Sequence, residues 1–491
     1  MAGKRTSALA LLVALLVPLL AACGGGTAAS PTAGTGAGTA ATAAPAMEAT
    51  AAPAMEATAA PAMEATAAPA MEATAAPAME ATAAPAGGGA MMDAPKIAVE
   101  DGATLRVSSW GDPAEQKINT DSFARFNEMY PNVAITYEPQ PADFQTKIKA
   151  DFAGGTEPDV FYLDSSLMTA LAPEGYLLDL TPSLQEGGVN VDDYIGNLTE
   201  IFQYEGKTYA LPKDQGALAL FINNDIAQGA GVDPASLKSW DEVTAAAEKM
   251  TSGEGPAKVY GICVNRDIQR VGAFMLQNGN PIVADGKTTV NQDSAIEAMN
   301  WWYGFKTAGT GEEAQPQGAG WCGEAFGKGT SAMAVEGGWM LPFLANTANG
   351  FEGVKYTAVS LPTPEGGKPG SLVFTNGWAA TERSKYPKAA AALVLFLTSA
   401  ANQQPILQTG FALPTVKSLL NDPYFSENPN AKVLAEVPAY GTVADLVFGG
   451  PAKKDDVIKA LNDATDQIFG GSDIKGSLDA AAQQADSVLS Q

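Results

Sequence analysis

Histidine is absent from this chain of 491 residues, and cysteine occurs only three times. The first absence removes the commonest general base, the usual activator of a hydroxyl or thiol nucleophile, and the commonest transition-metal ligand. Two cysteines beyond Cys23, Cys263 and Cys322, are too few ligands for a zinc site. In an oxidising compartment they could instead pair, although sequence does not give their separation in space. Cations are scarce too: 29 Lys and Arg face 54 Asp and Glu, a formal net charge of −25. Such a field repels nucleic acid, whose binding leans on phosphate neutralisation, so no nucleic-acid partner is expected. Nor is a cofactor or a metal.

What is present begins with MAGKRTSALALLVALLVPLLAAC: a positive pair at Lys4 and Arg5, an apolar run from Ala8 to Leu20, then small residues. That order is the grammar of an export signal. The run falls short of the roughly 20 residues that cross about 30 Å of hydrocarbon, and Pro18 interrupts it, which disfavours a retained span. Leu20, Ala21, Ala22 and Cys23 resemble the bacterial lipobox, in which the cysteine is lipidated and becomes the first mature residue. Residues 1–22 are therefore read as a lipoprotein signal peptide and Cys23 as a membrane anchor, with the protein exported to the outer face of the cell membrane.

Residues 45–84 repeat PAMEATAA five times. Ala, Met and Glu favour helix, but Pro45, Pro53, Pro61, Pro69 and Pro77 each remove a donor and bias the preceding residue to extended geometry. The seven residues between prolines also fall below the roughly 12 to 15 at which an isolated helix becomes marginal. The expectation for residues 23–95 is a solvated tether, whose 70 or so residues as flexible coil would span about 50 Å. A rival role for Met47, Met55, Met63, Met71 and Met79 as Cu(I) ligands suffers from an eight-residue spacing that brings no two together locally.

Residues 96–491 are long enough for two domains with sizeable cores. TLRVSSW alternates as a strand, SFARFNEMYP puts Phe123, Phe126 and Tyr130 at helical spacing, and VAITYEP is a second strand. DVFYLD reads as a strand buried in a parallel sheet. SWDEVTAAAEKM opens with Ser239 and Glu242 placed as a capping box, and YPKAAAALVLFLTSAANQQ is a strongly apolar helix. Alternating strands and helices imply an α/β fold. GAGWCG, residues 318–323, matches GxGxxG, but QPQ stands where a dinucleotide fold needs a strand, so it reads as a loop.

Several stretches together resemble the family 1 extracellular solute-binding proteins, the sugar-binding components of ABC importers. They are AGGTEPDVFYLD (153–164), YALPKDQGALALFINNDIAQGAGV (209–232), SWDEVTAAAEKMT (239–251), GKGTSAMAVEGGW (327–339) and TNGWAATERSKYPKAAAALVLFL (375–397). The resemblance implies a two-lobe periplasmic-binding-protein fold, type II-like, closing on its ligand by hinge motion. Carried onto this chain, it places the first lobe at 96–211 and 362–404 and the second at 212–361 and 405–491. The crossovers would fall near Leu211 to Asp214, near Leu361 and around Gln404. It also implies a carbohydrate ligand, membrane-embedded ABC permease partners and a monomer.

A sugar presents apolar C–H faces and a ring of hydroxyls, so its site combines aromatic platforms with carboxylates, amides and an occasional Arg or Lys. Candidates are Trp110 and Asp112 at the end of the first strand, Tyr162 and Asp164 at the end of DVFYL, and Asp214 at the hinge. Trp339 follows a Gly-Gly pair that lets backbone approach closely. Asn376, Gly377 and Trp378 resemble a further ligand-facing turn, and Arg266 and Tyr440 complete the set. Trp240, Trp301 and Trp302 sit in helical patterns and are assigned to packing; the acids Asp192, Asp193, Glu312 and Glu313 are expected to be solvated. Trp321 is a weaker candidate. Two other functions compete with a neutral-sugar receptor. One is a secreted glycoside hydrolase, which needs only two carboxylates; the other is a receptor for an anionic solute such as a polyol phosphate, held by Lys213, Arg266 or Arg270.

Overall fold

The computed structural model describes residues 94–140 and 142–491. The signal peptide, Cys23 and the octapeptide repeat lie outside them. The expected tether boundary at residue 95 meets packed chain, because Ala94 already lies against the first core and the Ala98 amide donates to Glu186.

Alternation along Thr104–Ser108 turns Leu105 and Val107 inward, 1% and 0% exposed. This strand lies between Ala134–Tyr137 and Val160–Leu163, parallel to both. All of Val160–Leu163 is buried, as its unbroken apolar run demands of a strand covered on both faces. The sheet is nonetheless mixed. Gly377–Ala380 arrives from far along the chain and runs antiparallel between Val160–Leu163 and Ala210–Pro212. Helix Pro113–Met129 buries Phe123 and Phe126 against this sheet's core, and in Pro387–Leu397 every residue from Ala389 on is buried. A helix apolar all round must be enclosed all round.

The second lobe has its own five-stranded sheet, ordered Gly311–Glu312, Ile262–Cys263, Met333–Glu336, Ala219–Asn223 and Tyr356–Val359. The first three are parallel, and Ala219–Asn223 is antiparallel to both neighbours. Alternate residues along it feed opposite faces: Leu220 and Ile222 join one core, Ala219 and Phe221 another. Helix Trp240–Met250 starts with both bonds of the Ser239–Glu242 capping box. Trp240 stacks on Trp301 at 4.5 Å, and Trp302 is fully buried with its Nε1 donating to the Asn265 carbonyl at 2.8 Å, so all three serve packing. Cys263 and Cys322 form a disulfide that staples the strand Ile262–Cys263 to the start of helix Cys322–Gly327. Gly318–Trp321 is the loop before that helix, not a phosphate cradle.

A three-stranded ribbon, Thr442–Val443, Leu372–Phe374 and Gly216–Ala217, joins the lobes. The chain leaves the first core between Ala217 and Leu218 and returns between Leu372 and Val373. The return is therefore later than the expected crossover near Leu361, which stays in the second core. The helix expected to end near Gln404 is two, Pro387–Leu397 and Ala400–Gln408, bent by 44°. Beyond it the chain recrosses: Leu407 packs in the second lobe, Val416 and Leu419 in the first, Phe425 in the second again. A single final boundary does not describe that stretch. Among the described residues no single helix is long and apolar enough to cross a membrane.

Candidate functional site

In open α/β sheets ligands bind beyond the carboxyl ends of the strands. Here Thr104–Ser108 ends at Trp110, Val160–Leu163 at Asp164, and Met333–Glu336 at Gly337, Gly338 and Trp339. Between the lobes opens a cleft of about 1230 Å³, with Asp112, Glu115 and Ile118 on one wall and Trp339, Phe343 and Tyr424 on the other. A second opening of about 810 Å³ shares Asp112 and is lined by Trp110, Phe144, Asp164 and Asn376. Beneath them Tyr162, Lys213, Asp214 and Trp378 enclose about 30 Å³, room for a water or two.

The candidates of the sequence thus separate into groups. Trp110, Asp112, Asp164, Asn376 and Trp339 border the two openings. Trp110 is half-buried and meets Phe144 and Tyr162 edge-on at 5.0 and 4.8 Å. Asp112 and Asp164 are also helix N-caps, accepting from the amides of Glu115 at 2.9 Å and Leu167 at 2.8 Å. The Pro after Asp112 and the Ser-Ser after Asp164 are the legible signs of those caps.

Tyr162 and Trp378 depart from the expected open platforms. They are 1% and 3% exposed and meet each other edge-on at 4.3 Å, forming the floor rather than a free face. Gly377 is a packing position: a Cβ there would come within 3.1 Å of Ala210, Leu211 and Phe202. Arg266 lies in a separate pocket of about 600 Å³. Tyr440 is 38% exposed, donates to Ser360 and lines none of these spaces. Glu312 and Glu313, expected to be solvated, are only 20% and 13% exposed. Lys306 bonds both, at 2.5 and 3.1 Å, and Arg266 bonds Glu313.

The floor is organised by Lys213. Its Nζ bonds Glu115 at 3.0 Å and also Asp214, and lies 4.6 Å from the Tyr162 ring centre. Tyr162 in turn donates to Glu115 or Asn119, and Asn119 donates to Ser109. Burial pulls the lysine towards neutrality, but the charges of Asp214 and Glu115 and the Tyr162 hydroxyl outweigh it and hold the ammonium well above the ordinary lysine range. Two further cations near the cleft are matched: Lys117 with Asp121, and Arg270 with Asp267 and Glu336.

Trp339 stands on a prepared seat. Its Nε1 bonds the buried Glu336, the Arg270 guanidinium lies 5.3 Å from the ring, and Phe374 meets it edge-on at 5.7 Å. Added Cβ atoms at Gly337 and Gly216 would fall 2.3 and 3.2 Å from the indole, so glycine at both positions is what lets the ring lie flat against backbone. Phe343, Tyr356, Phe411 and Tyr424 also line the main cleft, and sequence reasoning missed them. They lie in short helices, an edge strand and a loop, where no period singles out a cleft-facing residue.

A model of the bacterial extracellular solute-binding protein family matches residues 121–433. The galactooligosaccharide-binding protein of Bacillus subtilis is 23% identical over 342 residues, 67% of this chain and 76% of that protein. A probable ABC transporter-binding protein of Deinococcus radiodurans is 24% identical over 334 residues, 65% of this chain and 76% of its own. Among solved structures, the fold is shared with an ABC substrate-binding protein from Listeria monocytogenes in complex with cycloalternan (TM-score 0.69, 19% identity, covering 79% of this chain and 100% of that one). It is shared equally with a sugar-binding protein from Xanthomonas citri (TM-score 0.67, 18% identity, 79% and 97%). These are binding proteins rather than enzymes, which removes the hydrolase alternative. With two α/β lobes, a ribbon between them and a cleft at their strand ends, this chain belongs to the bacterial extracellular solute-binding proteins.

Proposed function

We propose that the chain is the lipid-anchored receptor of an ABC importer, capturing a neutral carbohydrate between its lobes and delivering it to a permease in the same membrane. The observation that carries this reading is the make-up of the main cleft. Trp339, Phe343, Tyr356, Phe411 and Tyr424 offer aromatic faces, amides such as Asn346 and Asn349, each engaged through one end, offer hydroxyl partners, and the lysines beside them are already neutralised by carboxylates. Aromatic faces suit the C–H side of a sugar and amides its hydroxyls. An anionic solute would instead find Asp112, Glu115, Asp121 and Glu427 lining the wall, which disfavours the polyol-phosphate alternative. The sugars bound by relatives of similar fold support the same reading.

Ligand must bind the closed form better than the open one, since equal affinity for both would shift nothing. Walls on different lobes supply that difference only when shut. The lipid on Cys23 and the long repeat would keep a monomeric receptor near its permease and raise their effective concentration.

A thermal-shift screen of neutral, phosphorylated and uronate saccharides tests the reading, with Trp339→Ala as control. Stabilisation by a neutral sugar, insensitive to salt and lost in Trp339→Ala, is expected. A response confined to anions and abolished by salt would refute it.

A further inference from the structure

Away from both openings, a buried carboxylate joins the two lobes. Ser165 begins helix Ser165–Leu171 of the first lobe and is 2% exposed. Its hydroxyl donates to Asp445 at 2.5 Å, across 280 positions of chain. Asp445 lies in the single turn Ala444–Val447, and Lys454, at the start of helix Lys454–Phe469 in the second lobe, bonds the same carboxylate oxygen. The Asp445 and Lys454 side chains are 9% and 16% exposed. None of the three residues lines the cleft, the second opening or the space beneath them.

The turn that carries Asp445 is wedged between the cores. Val443 is buried in the first core and Leu446 packs against it, whereas Ala444 and Val447 are buried in the second. Residues three apart share a helix face, so the turn presents one pair to each lobe, with Asp445 reaching from it to Ser165. Lys454 neutralises the carboxylate and anchors it from the second lobe, which leaves the Ser165 bond as the bridge. A hydroxyl bonded to an ionised carboxylate makes roughly twice as strong a bond as one between neutral groups, and burial strengthens it further.

The bridge adjoins the cleft wall. Asp164, next to Ser165, caps the same helix and borders the second opening. The ribbon between the lobes consists of strands of only two or three residues, the kind of short connection at which hinges bend. The Ser165 bond is made with the cleft standing at about 1230 Å³. Closure turns Ser165 and Asp445, held by different lobes, relative to one another, and a displacement of about 1 Å takes a hydrogen bond past its working range. We propose that Ser165 and the Lys454-anchored Asp445 form a clasp that holds the lobes apart and is released as the cleft closes. The clasp requires a cleft that closes, but it does not depend on which solute fills it.

Pulsed electron-spin distance measurements on the full chain, without added solute, test it. Labels on Lys117→Cys and Glu427→Cys, exposed on opposite walls of the cleft, report its width, with Cys23→Ser so that only the introduced thiols react. One long distance should dominate when Ser165 and Asp445 are intact. Ser165→Ala should raise the population at the shorter, closed distance about tenfold, and Ser165→Thr, which keeps the hydroxyl, should return it close to the starting value. Asp445→Asn keeps the shape, removes the charge and should move the population the same way; it carries the test if a thermal melt shows Ser165→Ala to be unfolded. An unchanged distribution in a folded variant, or a shift towards longer distances, overturns the clasp. Neither result touches the carbohydrate reading, which the saccharide screen decides separately.

Discussion

The indole of Trp339 donates its only N–H to Glu336 at 3.2 Å, and that carboxylate, 1% exposed, also holds Arg270 at 2.9 Å. The ring's orientation in the cleft is thus set from behind by a buried ion pair. Removing one partner of a buried pair costs about 3 to 5 kcal/mol where the other is left charged without compensation; here Arg270 keeps Asp267 at 2.7 Å. Glu336→Ala should therefore lower unfolding free energy by less than that range in urea titrations, and weaken ligand binding as well. An unchanged midpoint would contradict the arrangement.

Gly337 should tolerate no side chain without moving the ring. An alanine Cβ would sit 2.3 Å from the Trp339 ring, closer than real contacts allow, so the indole must leave its seat. Gly337→Ala is expected to reduce ligand affinity at least tenfold with a smaller effect on melting temperature. Titration calorimetry beside a thermal melt separates the two effects.

The Cys263–Cys322 bond closes a loop of 59 residues' separation. Chain entropy alone assigns such a closure roughly 4 kcal/mol. The double variant Cys263→Ser, Cys322→Ser, or reduction of the wild type, should lower stability by up to that amount. Comparing denaturation with and without reductant, with the double variant as the control that should not respond, measures it.

Glu313 gives an acid dependence of defined sign. Burial pushes its carboxyl up, but the hydrogen bonds and charges of Arg266 and Lys306 outweigh this and leave it below the usual carboxylate value. Glu312, bonded to the same Lys306, and Asp466, bonded to the same Arg266, are the other carboxylates at the site. A carboxyl lowered in the folded state contributes stability that is fully present above its unfolded value, about 4.3, and is lost as pH falls through the folded value. Glu313→Gln should therefore lose less stability than wild type between about pH 5 and pH 3, as read from urea midpoints across that range. Equal slopes would refute the pairing.

Much of the secondary structure was legible because each local signal records a local cause. Ser239 and Glu242 are close enough in sequence to cap each other, and they do. Val160–Leu163 is apolar without alternation because both its faces are covered. The Gly337–Gly338–Trp339 run announced a close approach, and the indole does lie against Gly337. The site was less legible. Tyr162 and Trp378 look as much like platforms as Trp339 does, and their burial depends on Phe123 and on each other.

By itself the amino-acid order determined the elements, the α/β alternation and the lack of histidine chemistry, since periodicity and composition are properties of neighbouring residues. Only the tertiary structure decided which charges cancel and which rings are free. Lys213 meets Glu115 across 98 positions of chain, and Arg266 meets Asp466 across 200. Such pairings depend on the path by which two lobes exchange strands, and no local pattern records that path. The cleft's lysines are paired and its walls aromatic because distant segments fold back to the same strand ends.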